Sequence, residues 1–314
     1  MNDKVSIIIP AFNAAKYIEK TLDAVVKQTY KNIEVIVVND GSTDNTSAVA
    51  NSFMTGKGVE FKVVDKPNGG QASARNYGLS ISKGDYVTFL DSDDFINSNY
   101  INRLLTELHR YEADFAACPF QNVFESDFNS DPKYDLGSRQ YDTDTLSRMY
   151  LHRGIILIAP AMLIRKKSIE GIEFDEACPY DEDGLFVWDL LFKTRKCAYC
   201  DIPMYNYRIR EGSIMHSLTV DKCHQSIIRY QEHCDMFIKK DFGGVSHQIL
   251  PNYKLASQHV LAKNVDYKEF KREYKRTDKS DIKNLVSIRD IKLSILSLLY
   301  VVSPCFFYKV CRYI

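Results

Sequence analysis

The first hundred residues alternate between apolar runs and helical periodicity. Residues 5–9 are a short β-branched run closed by Pro10. Tyr17, Ile18, Leu22, Val25 and Val26 then fall near helical spacing. Residues 33–38 are almost continuously apolar, as expected of a strand covered on both faces. A Gly-Ser-Thr turn leads into a short helix over 44–53, and 59–64 reads as a third strand. Asn68-Gly69-Gly70 precedes a helix over 71–82, and Gly84-Asp85 turns the chain into a fourth strand over 86–90. This β-α-β-α-β-α-β order predicts an α/β fold with a doubly wound, mostly parallel sheet. In such sheets ligands sit beyond the carboxyl ends of the strands. The residues to inspect are therefore 11–13, 39–41, 66–68 and 91–94.

Beyond residue 99 the pattern loosens. An amphipathic helix is expected over 99–112 and a strand over 114–119. Residues 121–142 are polar and turn-rich, and read as an excursion over the surface. A helix over 182–194 carries Leu185, Trp188, Leu191 and Phe192 on one side, which makes Trp188 a packing residue rather than a sugar platform. Residues 204–209 read as an edge strand, and the chain from about 221 is helical. The expected division is 1–100, 101–216, 217–290 and 291–314.

The 314 residues carry 41 basic and 41 acidic side chains. A chain 45% apolar and 26% charged is not disordered. It has no bulk positive charge to hold nucleic acid. The charge is nevertheless uneven: residues 262–314 hold 12 Lys or Arg against 6 Asp or Glu, whereas the rest holds 29 against 35. A basic tail on an acidic body suits an anionic surface, with a membrane as the first candidate. Residues 293–308 are almost uninterruptedly apolar and have basic flanks. A span needs about 20 apolar residues. This run is shorter and is broken by Pro304, so an interfacial segment is expected, with a helix docked on the core as the alternative. The eight cysteines form no disulfide framework, and no apolar leader precedes the first strand. The expectation is a cytoplasmic protein, peripheral on the inner face of the cytoplasmic membrane. Cys197 and Cys200 form a lone CxxC. Zinc would need a second pair, so ordinary buried thiols are expected.

Asp40 follows the second strand, and Asp91 and Asp93 follow the fourth, so all three should converge on one rim. Carboxylates clustered at a strand end repel unless a cation or ligand compensates. Asp-x-Asp supplies two oxygen ligands on a tight turn, which suits Mg²⁺ or Mn²⁺ completed by substrate phosphates and water. The plainer alternative is a cap on the next helix.

Residues 5–13 (Val-Ser-Ile-Ile-Ile-Pro-Ala-Phe-Asn), 39–44 (Asn-Asp-Gly-Ser-Thr-Asp), 68–76 (Asn-Gly-Gly-Gln-Ala-Ser-Ala-Arg-Asn) and 84–94, ending in Asp91-Ser92-Asp93-Asp94, occur in that order in these strand contexts. Together they strongly resemble the family 2 glycosyltransferases. The resemblance is close over 4–100 and looser to about 216, through Glu182-Asp183-Gly184 and residues 207–213. It implies a GT-A fold (Rossmann-like), with a helical extension following. It also implies a nucleotide-diphosphate sugar donor, a divalent metal and inversion at the anomeric carbon. By this resemblance Asp40 accepts a hydrogen bond from the uracil imide, and Pro10, Ala11, Phe12 and Asn13 hold the base. Arg75 lies in the nucleotide pocket, and Ser92 lies with it between the two aspartates. Asp91 stands near ribose and metal, Asp93 binds the metal, and Asp183 is the general base. Arg208, Arg210, Ser213 and His216 lie on a stretch that often folds over the donor. Arg210 is the candidate diphosphate clamp, and His216 the candidate to complete the metal shell, against a plain loop histidine.

The chemistry fits these residue types. Inverting transfer needs a carboxylate to take the acceptor proton on the face opposite the leaving group. The expected reaction moves a sugar from a UDP-sugar to a hydroxyl of a lipid-linked or growing cell-surface glycan. A sugar nucleotidyltransferase is the rival, though its Gly-rich first loop is replaced by Pro10-Ala11-Phe12-Asn13. A non-catalytic glycan-binding relative is the third reading. No GxGxxG follows the first strand, which disfavours a dinucleotide-dependent oxidoreductase.

Overall fold

The computed structural model describes residues 3–124, 137–152, 154–209, 219–239, 246–280, 282 and 291–312. The elements run β1 (Val5–Ala11), α1 (Ile18–Val26), β2 (Ile33–Asp40), α2 (Thr46–Met54), β3 (Glu60–Lys66), α3 (Gly70–Ile81) and β4 (Tyr86–Phe89). The chain continues through β5 (Phe95–Ile96), α4 (Tyr100–Tyr111), β6 (Phe115–Ala117), β7 (Phe120–Val123), β8 (Ser138–Asp142), α5 (Thr143–Leu151) and β9 (Met162–Arg165). Then come α6 (Glu182–Lys193), β10 (Lys196–Cys200), β11 (Tyr205–Arg208), α7 (Val220–Lys239), α8 (Ser246–Asn264), α9 (Tyr267–Arg276), α10 (Ile291–Val302) and α11 (Pro304–Cys311).

An eight-stranded sheet has the order β3-β2-β1-β4-β9-β6-β10-β8. Its first four strands are parallel, as the sequence predicts. β9 runs antiparallel between β4 and β6. Every residue of β1 and β2 is buried, whereas β3 alternates because it is an edge. α3 lies close against this core: a Cβ at Gly78 would stand 2.4 Å from Cγ2 of Ile8. Only glycine allows that approach.

Three expectations need correction. Residues 121–142 are not simply an excursion, because part of β7 and all of β8 lie in that range. β11 is not an edge strand. It is the centre of a second sheet, β5-β11-β7, paired antiparallel to β5 and parallel to β7. The CxxC lies on β10, a strand paired on both sides and missed in the sequence. Cys197 and Cys200 are both buried thiols, and burial raises the pKa of Cys197 well above its ordinary value. Trp188 packs as expected, buried and stacked near Phe192 at 5.8 Å.

The chain divides into two units: Met1–Leu146 with Ile156–Glu176 and Glu182–Arg210, and Ser147–Ile155 with Ala177–Asp181 and Glu211–Ile314. The first holds both sheets. The second is helical, built on α7, α8 and α9 with α10 and α11 packed on them. Phe270 of α9 lies 6.1 Å from Phe307 and 5.3 Å from Tyr308, and Tyr274 lies 4.9 Å from Tyr300. Ser303 caps α11 through Phe306 N–H, and Pro304 opens that helix, so the apolar tail is two short helices. Among the described residues no helix is long and apolar enough to cross a membrane.

Candidate active site

The register brings the carboxyl ends of β1, β2 and β4 to one rim. Ala11 pairs with Asn39, and Asp40 with Lys66. Leu90 N–H donates to Ile8 O at 2.9 Å, so the turn carrying Asp91 starts beside the end of β1. Beyond β1, Phe12 is half exposed and Asn13 takes a left-handed φ of 49°. That conformation lets Asn13 Oδ1 accept from Thr43 N–H at 2.8 Å while Asn13 N–H donates to Ser42 Oγ at 2.9 Å. Pro10 and Ala11 are buried residues of β1 and support this loop from beneath.

Asp40 is buried at the carboxyl end of β2. Its Oδ1 accepts from Lys66 Nζ at 2.6 Å and from Gly69 N–H at 2.9 Å, and its Oδ2 accepts from Gly70 N–H at 2.7 Å. The carboxylate therefore lies at the amino end of α3, where backbone donors and the helix dipole favour negative charge. A carboxylate offers about four acceptor positions. The three internal bonds leave room for one more donor. Gly41 beside it has φ +71°, and a Cβ there would meet Asn68 N at 2.7 Å.

The next residues of α3 reach the second acidic group. Gln71 Nε2 and Arg75 Nη2 both donate to Asp91 Oδ1 at 2.8 Å. Arg75 Nη1 bonds Glu182 Oε1 at 3.2 Å and makes a close ion pair with Asp183. One guanidinium thus joins the Asp91 turn to the first turn of α6. Arg75 is 1% exposed and lies 5.1 Å over the ring of Phe174. Phe174 in turn stacks on Phe186 at 4.1 Å and meets Phe89 edge-on at 5.0 Å. Burial on this aromatic floor would lower the arginine pKa. The carboxylates of Asp183, Asp91 and Glu182 outweigh it and raise that pKa, so the cation is permanent. Asp183 itself remains a quarter exposed.

Asp94 is the residue of this turn that the sequence reading gave no role. It is buried, with Oδ2 accepting from Tyr205 OH at 2.6 Å and Oδ1 from Arg208 N–H at 2.8 Å. Burial, and then Asp91 and Asp93, push its pKa well up. Thr21 Oγ1 donates to Ser92 O at 3.0 Å and Asp94 O at 2.8 Å, which pins the Ser92 backbone. Asp94 thereby ties the Asp91–Asp93 turn to β11. Arg208 is a buried strand residue lying 5.2 Å over Tyr17, not part of a covering loop. Arg210, Ser213 and His216 lie outside the described residues.

Asp91 and Asp93 are hard oxygen donors of the type Mg²⁺ and Mn²⁺ prefer. Among the described residues no three His, Cys, Asp or Glu side chains form a cage for a metal. Two carboxylates completed by phosphate and water are the usual Mg²⁺ arrangement, so the donor set fits such a cation.

Phe174 and Tyr205 were not singled out from sequence, and Lys66, Gln71 and Asp94 were given no role there, although Lys66 and Asp94 fall in the ranges marked for inspection. Gln71 carried one usable signal: it precedes Arg75 by four residues, so both lie on one face of α3.

The parallel half-sheet with its acidic rim has the architecture of a GT-A fold. A sequence model described as glycosyl transferase family 2 matches residues 6–172, and the chain belongs to that family. Glycosyltransferase GlyA of Streptococcus pneumoniae serotype 4 is 32% identical over 229 residues, covering 68% of this chain and 32% of GlyA. The chain thus spans about a third of that relative. Glycosyltransferase GlyG of the same organism is 26% identical over 298 residues, covering 91% of this chain and 94% of GlyG. Residues 1–349 of S. aureus TarS in complex with UDP-GlcNAc superpose with a TM-score of 0.74 at 21% identity, covering 99% of this chain and 90% of that one. The chain is a glycosyltransferase.

Proposed function

We propose that this enzyme transfers a sugar from a UDP-sugar, with inversion, to a hydroxyl of a lipid-linked or growing cell-surface glycan. The observation that carries the reading is the Arg75 bridge. It joins a quarter-exposed carboxylate, Asp183, to the Asp91 turn, on which a diphosphate would be held. The TarS complex with UDP-GlcNAc supports a UDP-sugar as the donor class.

In this mechanism the loop at Phe12 and Asn13 flanks the base, and the uracil imide donates to the remaining acceptor position of Asp40. Arg75 and Gln71 orient Asp91 at the ribose and diphosphate side. Asp183 takes the proton of the acceptor hydroxyl as it attacks the anomeric carbon. General-base help of this kind is worth roughly 10²–10⁴-fold. Asp91 and Asp93 would hold Mg²⁺ or Mn²⁺, which supplies neutralisation of the charge gathering on the departing diphosphate. Arg210 and His216 are proposed to clamp the diphosphate and to add to the metal shell.

The division proposed is a donor half over 1–100, an acceptor half over 101–216, a helical extension over 217–290 and a membrane-contacting tail over 291–314. Support for the tail comes from its outer side. Ile295, Leu298 and Val302 of α10, at helical spacing, and Phe306 of α11 are each half exposed or more. Basic Lys309 and Arg312 follow them. Such a row suits the inner face of an anionic membrane, where a lipid-linked acceptor would be found.

A panel of UDP-sugars assayed for UDP release tests the reaction. Metal-dependent UDP release is expected. Release of pyrophosphate would instead identify a nucleotidyltransferase, and no release from any donor a non-catalytic relative.

A further inference from the structure

Asp181 has a backbone φ of +63°, a left-handed conformation that non-glycine residues rarely adopt. It stands two residues before Asp183, at the entrance to α6. Two aromatic residues of the helical unit hold this spot. Tyr230 of α7 donates its hydroxyl to Asp181 Oδ2 at 2.6 Å. Tyr253 of α8 donates to Tyr180 O at 3.4 Å. The two rings stack flat, 3.4 Å apart and 7° from parallel, and both are buried. Burial, and then the Asp181 carboxylate, raise the Tyr230 pKa well above its ordinary value, so the phenol stays protonated and donates. Residues 177–181 belong to the same unit as Tyr230 and Tyr253. The peptide chain itself carries the restraint onward to Asp183.

We infer that Tyr230 is a positioning residue for the transfer reaction: by holding the Asp181 side chain it fixes the left-handed turn that presents Asp183. The inference rests on reading Asp183 as the general base. A left-handed position alone would be met most easily by glycine. An aspartate there gains a side-chain anchor, and Tyr230 is its partner.

The test is steady-state UDP release from UDP-GlcNAc, or from the UDP-sugar that the donor panel selects, with melting curves alongside. Tyr230→Phe keeps the ring stack and removes only the donor. It should lower kcat by about 10-fold or more, with the donor KM within about twofold, since small misplacement of a reacting group costs rate rather than binding. Asp181→Gly keeps the turn accessible and loses the acceptor, so it should show the same kcat loss. Asp181→Asn keeps an acceptor oxygen and tolerates the turn, and should retain most of the rate. A kcat near wild type in Tyr230→Phe, or in Asp181→Gly if the first variant does not fold, overturns the inference. So does a loss confined to the donor KM. Asp183→Asn run in parallel separates the two readings: if that variant is fully active the base assignment fails, whatever Tyr230 does.

Discussion

Arg75 concentrates the electrostatics of the site in one side chain. Three carboxylates share its guanidinium, and each is less than a third exposed. Removing the cation takes away the charge that Asp91, Glu182 and Asp183 share. Breaking a buried ion pair from one side typically costs about 3–5 kcal/mol. Arg75→Met should therefore lower the urea midpoint as well as activity, and an unchanged denaturation curve would contradict the structure. Asp93→Asn should behave differently. It should lose most turnover while the protein still melts cooperatively, and EDTA should abolish wild-type activity until Mn²⁺ or Mg²⁺ is added back. Full activity in EDTA would sink the metal role. At this scale the sequence marked Asp40 and Asp91 by their places after strands, and Arg75 and Asp183 through the family resemblance. It gave no role to Lys66, Asp94 or Tyr205. Their contribution depends on which strands become neighbours, and no local spacing encodes that.

Among the elements, the four parallel strands were legible because β1 and β2 are buried on both faces and read as unbroken apolar runs. β10 was not, because its five residues mix Lys, Cys, Ala and Tyr and are defined by partners from β6 and β8. β11 was recognised as a strand but misplaced at an edge, since its partners β5 and β7 are two and four residues long. The α3–β1 approach gives an element-level prediction. Gly78→Ala places a methyl inside the space of Ile8. Overpacking of this kind costs about 1–3 kcal/mol. A melting curve should show the loss, and since α3 carries Gln71 and Arg75, donor binding should weaken with it. Wild-type stability in Gly78→Ala would mean that α3 stands further from the sheet.

For the molecule, the tail has two sides. Tyr300, Phe307 and Cys311 face inward and are fully buried, whereas Ile295, Leu298, Val302 and Phe306 face out. The inner side is that of a docked helix, and the outer side is the one the membrane proposal concerns. Deleting 291–314 would uncover Phe270 and Tyr274, so surface substitutions are the cleaner probe. Leu298→Glu with Val302→Glu should leave the melting curve unchanged and abolish flotation with anionic liposomes. A wild-type chain that never floats would remove the membrane proposal. The cysteines offer a check on packing throughout: seven are buried and Cys305 is exposed. A thiol reagent should titrate one fast group in the native protein, and Cys305→Ser should remove it. Several fast thiols would contradict the burial described.

The central claim is that Asp183 is the base of a UDP-sugar transfer held in register by Arg75. UDP release by wild type and Asp183→Asn, measured with donor binding on the same samples, tests it most directly. The account predicts metal-dependent UDP release in the wild type and a drop in kcat of roughly 10²-fold or more in the variant, with the donor Kd little changed. Asp183→Asn turning over at the wild-type rate, or Glu182→Gln proving the damaging change instead, would contradict it.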